Sequence, residues 1–197
     1  MASLLDNVQG DILLDGLAKR VESFFFFKIE DSHVKEFCQS LKQVAGEIAN
    51  STHTQQERAK LAKWKNDHPG ADSDTMPTVG ANIAFSMNGL KKMQPALKSL
   101  QLSTGDVLFE KGMKAGAVTD LNDPIKSGTE PAWDAPFMQP QNLHGVVLVA
   151  GNSPENVKSQ MDKVKSFWKF PGSNAFISEV TTLKGKVRPG EFKGHEQ

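Results

Sequence analysis

The chain has 197 residues, and its 23 basic side chains balance its 23 acidic ones. A chain of this length suits a single domain, taken as residues 1–197, with its own apolar core. Its neutral charge gives no reason to expect a nucleic acid or an anionic membrane surface as partner, and no run of about 18 apolar residues predicts a membrane-spanning helix. No basic segment followed by an apolar stretch opens the sequence, so no signal peptide is visible.

The first predicted strand is unusually apolar. A short arm over residues 7–13 and a turn at Asp15-Gly16 precede this strand, which runs from about Val21 to Ile29. Its centre consists of Phe24, Phe25, Phe26 and Phe27. Because apolar side chains occupy both odd and even positions, neither face of the strand is built for water.

Two helices are predicted next. Asp31 or Ser32 offers an N-cap, and apolar residues then recur at helical spacing as far as Ile48. Cys38 lies on this apolar stripe, which favours an inert core thiol; as the single cysteine it also excludes an internal disulfide and leaves the redox compartment open. A second, polar helix is possible over residues 54–64.

A one-faced strand and a long insertion follow. Residues 78–85 alternate apolar with small or polar side chains, as an edge strand does. Residues 86–142 form an insertion. Helical turns are possible in it over residues 90–100, interrupted at Pro95, and residues 101–141 carry much of the chain's Gly, Pro and Asp. A connection of this length inside one domain is usually functional or contacts a partner.

The last three predicted elements are a strand, a helix and a strand. Leu143 to Gly151 is the second stretch without a polar face, and it contains Val146, Val147, Leu148 and Val149. Ser153-Pro154-Glu155 combines an N-cap, a first-turn proline and an acidic residue, which predicts a helix start. Residues 175–183 form the final strand.

The order of these elements predicts a ferredoxin-like α+β fold, βαββαβ, with an antiparallel sheet and helices on one face. The first and third strands are central in that arrangement, which agrees with their apolar character. The second sheet face would then remain apolar and argues for a protein partner. We therefore predict an interface formed by one alternating set drawn from Phe24, Phe25, Phe26, Phe27, Val146, Val147, Leu148 and Val149.

The residue types show no active site. The histidines have no metal-ligand spacing, no serine sits in a nucleophile-elbow context, and we predict no catalytic, cofactor-binding or metal-ligating residue. The five histidines are His33, His53, His68, His144 and His195. His144 opens the most apolar strand; a structural histidine hydrogen-bonded to backbone is favoured over an axial ligand or an acid-base group.

Six short stretches, in order along the chain, resemble the N-terminal half of fungal dye-decolorizing (DyP-type) haem peroxidases. They are Val8 to Leu13, Phe24 to Ile29, Asn82 to Ser86 with Gly89-Leu90, Gly105 to Phe109, Leu143 to Leu148, and Val187 to Gly190 with Gly194-His195-Glu196. The resemblance implies the ferredoxin-like fold, two copies of which enclose a haem in that family.

The resemblance also implies that the catalytic motifs lie elsewhere. In the family a Gly-x-x-Asp-Gly segment with the distal Asp follows the Gly-His-Glu turn, and the distal Arg and proximal His come later still. None of these residues matches a position before Gln197. We therefore expect a haem-free, non-enzymatic protein without cofactor.

Half-length proteins of this kind resemble the small subunit of heterodimeric fungal laccases, so an accessory or stabilising subunit of a laccase is the leading prediction. Its partner would be the laccase large subunit, or a second copy stacked through the apolar sheet face. The alternatives are an N-terminal fragment of a haem-dependent DyP-type peroxidase and a homodimeric fungal immunomodulatory protein. The resemblance favours an extracellular location; a cytoplasmic one is the alternative.

Overall fold

The computed structural model describes residues 4–12, 16–17, 19–70, 76–100 and 102–187. The stretches Arg188 to Gly190 and Gly194-His195-Glu196, which the resemblance used, lie outside these residues, as does Asp15 of the predicted turn. Within the described ranges, no helix is long and apolar enough to cross a membrane.

Twelve helices and strands are formed by the described residues, together with four short 3-10 helices at Leu4–Asn7, Asp31–His33, Ala135–Met138 and Pro140–Asn142. The elements in chain order are β1 (Val21–Ile29), α1 (Val34–Ala45), α2 (Ser51–Asp67), β2 (Val79–Phe85), α3 (Met87–Met93), α4 (Val107–Lys111), α5 (Met113–Gly116), β3 (Ile125–Ser127), β4 (Glu130–Pro131), β5 (Gly145–Gly151), α6 (Pro154–Ser166) and β6 (Ile177–Lys186).

The main sheet has the strand order β2-β5-β1-β6, and every neighbouring pair is antiparallel. β1 and β5, whose side chains are apolar on both faces, are therefore central. β2 and β6, predicted to be apolar on one face only, are at the edges. This confirms the predicted ferredoxin-like α+β architecture. The possible helix at 54–64 is real and longer, as α2.

The core lies between one face of the sheet and the helices α1 and α6. Phe25 and Phe27 of β1 are fully buried there, and the Phe27 ring packs against Trp168 with 5.0 Å between ring centroids. Phe37 of α1 stacks on the same indole at 5.4 Å. Cys38 is half-buried beside this core, and burial raises the pKa of its thiol, which agrees with an inert role.

The two central strands divide their apolar side chains between the two faces. Phe25, Phe27, Val147 and Val149 have no exposed surface and belong to the core. The predicted interface uses one alternating set only, and these four side chains form the other set, which the helices cover. Phe24 lies opposite Leu148 and Phe26 opposite Val146, and these four half-buried side chains occupy the other face, which we call the outer face.

The outer face is not bare. The insertion folds back over one end of it, and Phe137 meets Phe26 edge to ring with 5.2 Å between centroids. The insertion thus covers part of the apolar face for which the sequence analysis predicts a protein partner. The insertion contains α3, α4, α5 and the β3-β4 hairpin, more structure than the helical turns predicted over residues 90–100.

The N-terminal arm closes the free edge of β2. The Gln9 side chain donates from Nε2 to the Ile83 carbonyl at 2.9 Å and accepts the Ile83 N–H at 2.8 Å. Gly10 donates its N–H to the Ala49 carbonyl at 2.7 Å, and Ala49 in turn donates to the carbonyl of Ala81 at 2.9 Å. An edge strand offers unpaired backbone groups, and here the arm and residue 49 pair with them.

Candidate functional site

An apolar cavity of about 770 Å³ lies between the outer face and the insertion. Phe26, Ala84 and Val146 form its floor on three adjacent strands. Trp133 and Phe137 line it from the insertion. The arrangement exists because the outer-facing side chains of the central strands need cover and the insertion supplies only part of it.

Polar contacts hold the insertion over the cavity. Lys114 donates from Nζ to the Met138 carbonyl at 2.7 Å, which links α5 to the turn that carries Phe137. The Trp133 indole N–H donates to Asp123 Oδ2 at 2.9 Å. These bonds fix the wall without burying many apolar side chains of the insertion itself.

One end of the cavity is a tight junction between β2, α3 and β5. Ser86 caps α3 by accepting the Gly89 N–H at 3.1 Å and donates its hydroxyl to the Leu143 carbonyl. A Cβ atom at Gly89 would stand 1.9 Å from the His144 carbonyl oxygen, so only glycine fits there. This contact gives a physical reason for two of the stretches that carried the resemblance.

His144 is a structural residue at this junction, as predicted. It is 5% exposed, its Nδ1 accepts the Ile29 N–H at 2.9 Å, and its Nε2 faces the Gln141 carbonyl at 3.1 Å. Nδ1 must therefore be unprotonated and Nε2 carries the hydrogen. Burial lowers the pKa of His144, so the neutral imidazole is the stable form.

A second hollow of about 290 Å³ adjoins the first and shares Met87, Gly112 and Met113 with it. Leu108 and Leu121 line its outer part. Sequence reasoning noted the long insertion but missed both hollows, because their walls meet only when the insertion folds back on the sheet.

Comparison with known proteins identifies the family to which this architecture belongs. Residues 7–189 match the family model described as the DyP dimeric alpha+beta barrel domain. The chain belongs to this family. It is 31% identical over 192 residues to the dye-decolorizing peroxidase msp1 of Mycetinis scorodonius, and the match covers 98% of this chain but 31% of that protein. A dye-decolorizing peroxidase of Exidia glandulosa is 30% identical over 191 residues, which are 97% of this chain and 31% of the relative.

Solved structures of the DyP family agree. An ancestral D-type dye-decolorizing peroxidase superposes with a TM-score of 0.81 at 38% identity, over 99% of this chain and 37% of that one. A mutant of the Pleurotus ostreatus enzyme gives a TM-score of 0.75 at 32% identity, over 98% and 38% of the two chains. The chain thus spans about a third of the length of these relatives, and it corresponds to the N-terminal half of DyP-type peroxidases.

The described cavity walls do not fit the iron-ligating side of a haem site. None of the described residues lining the cavity is a histidine or a cysteine, and the chain has no tyrosine. His144 uses both ring nitrogens on backbone groups, and His68 stacks on Trp64 outside the cavity. Among the described residues, no group of three or more His, Cys, Asp or Glu could hold a metal ion. What the walls offer is an apolar surface with aromatic rings.

Proposed function

We propose that this chain acts as the N-terminal half of a DyP-type haem peroxidase fold, where it forms a wall of the central cavity and leaves iron ligation to the second half. The observation that carries the proposal is the extent of the family match. It runs from residue 7 to residue 189, nearly the whole chain, yet accounts for only 31% of the msp1 peroxidase.

The residues of this chain would exclude water from the cavity and determine the shape of its wall. The floor side chains, Phe26 and Val146, are apolar and half-buried, and Trp133 and Phe137 add aromatic surface. In the complete fold, bound haem would supply the peroxide-dependent redox chemistry. This chemistry needs an axial ligand to the iron and a proton-transfer group beside the peroxide. The described cavity walls contain no histidine, cysteine or tyrosine, so the proposal assigns the axial ligand to the second half.

The laccase-subunit role remains a prediction. An apolar surface next to the cavity could also contact a laccase large subunit or a second copy, and no contact in the described structure favours either partner over a DyP-type half. The family match favours the peroxidase-fragment alternative. The absence of a cofactor and the extracellular location are likewise still predictions.

A domain exchange tests the proposal. In the chimera, this chain replaces the matched 31% of the Mycetinis scorodonius peroxidase. We expect a folded protein with a Soret band and peroxide-dependent dye oxidation, because the second half would retain the iron ligand and this chain would complete the cavity. Absorption spectra and turnover of a standard dye are the measurements.

A folded, soluble chimera without haem would contradict the proposal. The unmodified peroxidase is the control for loading and turnover. Mixing this chain with a purified laccase large subunit provides the discriminating arm, because a stable one-to-one complex together with an inactive chimera would favour the accessory-subunit role.

A further inference from the structure

The insertion carries an apolar surface that its own fold does not use. Val107, Leu108 and Met113 are 74%, 59% and 70% exposed. Of the nine large apolar side chains that are exposed among the described residues, six lie between positions 107 and 125. Single exposed apolar residues are ordinary, but a cluster of them marks an interaction site.

These side chains are continuous with the cavity. Leu108, Phe109 and Leu121 line the second hollow, and Met113 lines both. The hollows share Met87 beneath them. The outer face of the sheet and the exposed part of α4 and α5 therefore form one apolar surface, with the insertion at its rim.

Polar groups hold this rim in place. Asp106 accepts the N–H groups of Leu108 and Phe109, each at 3.0 Å, and so caps α4. Glu110 accepts the N–H and the hydroxyl of Thr104 at 2.5 and 3.0 Å, and these bonds lower the pKa of its carboxyl. Lys111 lies 3.2 Å from Asp120.

The side chains of α4 and α5 are distributed in the opposite way to those of an ordinary surface helix. The polar side chains are engaged within the segment, and the apolar ones face water. A segment ordered in advance pays little conformational entropy when it binds. We propose that α4 and α5, residues 107–116, are the docking element through which this chain meets the second half of a DyP-type fold.

The choice of partner rests on the proposed function. In the matched relatives, roughly two thirds of the chain lies outside the region equivalent to this protein. That much additional protein must cover part of the N-terminal half, and the continuous apolar surface described above is the part of the described structure that most needs cover.

The test uses Leu108→Glu, both in the chain alone and in the chimera with the Mycetinis scorodonius peroxidase. Leu108 is exposed in the chain alone. The unfolding midpoint of the isolated variant chain should therefore differ from that of the unmodified chain by no more than about 2 °C. In the chimera we expect the unfolding transition to split in two and the midpoint for loss of the Soret band to fall by about 5 °C or more. Ile12→Glu is the matched control, since Ile12 is 64% exposed, lies outside residues 107–125 and lines neither hollow.

The other possible results refute the docking element, the proposed function or the assigned partner. A chimera that binds haem normally with Leu108→Glu would refute the docking element while leaving the proposed function intact. An unmodified chimera that folds without haem would refute the proposed function itself. Sedimentation of the chain alone completes the test: a dimer that Leu108→Glu converts to monomer would identify a second copy as the occupant and overturn the assignment.

Discussion

Single residues explain why several stretches of this sequence look as they do. Gly89 is required because His144 places its carbonyl where a side chain would begin. His144 in turn satisfies the Ile29 N–H, which would otherwise be buried without a partner at the end of β1. Sequence alone favoured a backbone-bonded histidine over a ligand, and the structure confirms that assignment and identifies both partners.

His144 should make stability depend on pH. Its pKa in the folded state is lowered by burial, while the unfolded chain has the ordinary value of about 6.5. As the pH falls below that value the unfolded chain takes up a proton before the folded chain does, so the free energy of unfolding falls. The stabilisation is complete above about pH 6.5 and is lost progressively below it.

We predict that His144→Leu lowers the free energy of unfolding by about 1–3 kcal/mol at pH 7.5, because the buried Ile29 N–H loses its acceptor and the Gln141 carbonyl loses its donor. The deficit relative to wild type should shrink at pH 5.5, since the variant has no group to titrate there. Urea denaturation at both values checks this. His68→Leu, at an exposed position, is the control; an unchanged deficit at the two pH values would contradict the assigned burial of the neutral ring.

At the scale of elements, the edges of the sheet are protected in two different ways. β6 carries Glu179, Lys184 and Lys186, and charges of this kind discourage edge-to-edge pairing. β2 has no charged residue, and the Gln9 side chain bonds its exposed backbone instead. The arm motif that resembled the family therefore has a local physical role.

Replacing Gln9 with Ala should remove both hydrogen bonds to Ile83 and cost about 1–2 kcal/mol of unfolding free energy. Hydrogen exchange at the Ile83 amide should accelerate more than exchange at Val147, its neighbour in the sheet. Gln160→Ala is a matched control, because the Gln160 amide donates to Glu47, which belongs to no strand. Unchanged protection of Ile83 would show that the arm does not seal the edge.

The predictability of the fold also differs between elements. The sheet could be deduced because β1 and β5 are apolar on both faces, a pattern that only central strands tolerate. Which Phe faces the core could not, because alternation fixes two sets but not their direction. The cavity was beyond reach, since Phe26 and Phe137 are distant in sequence and meet only through the fold of the insertion.

At the scale of the whole molecule, the helices complete one side of the sheet and the other side is left half covered. The core between β1, α1 and α6 is closed by large fully buried side chains such as Trp168 and Phe37. On the outer face, the insertion encloses a cavity but leaves Val107, Leu108 and Met113 in water. A half of a larger fold has this asymmetry, because its second apolar layer comes from elsewhere.

The central claim is that this chain forms a wall of a haem cavity but does not ligate the iron. Titration of the isolated chain with haem, followed by absorption spectroscopy and peroxide-dependent dye oxidation, tests it most directly. The account predicts no stoichiometric Soret band characteristic of a ligated protein haem and no turnover, because no described histidine lines the cavity and both ring nitrogens of the nearby His144 are engaged with backbone groups. One haem bound per chain with dye oxidation would contradict it.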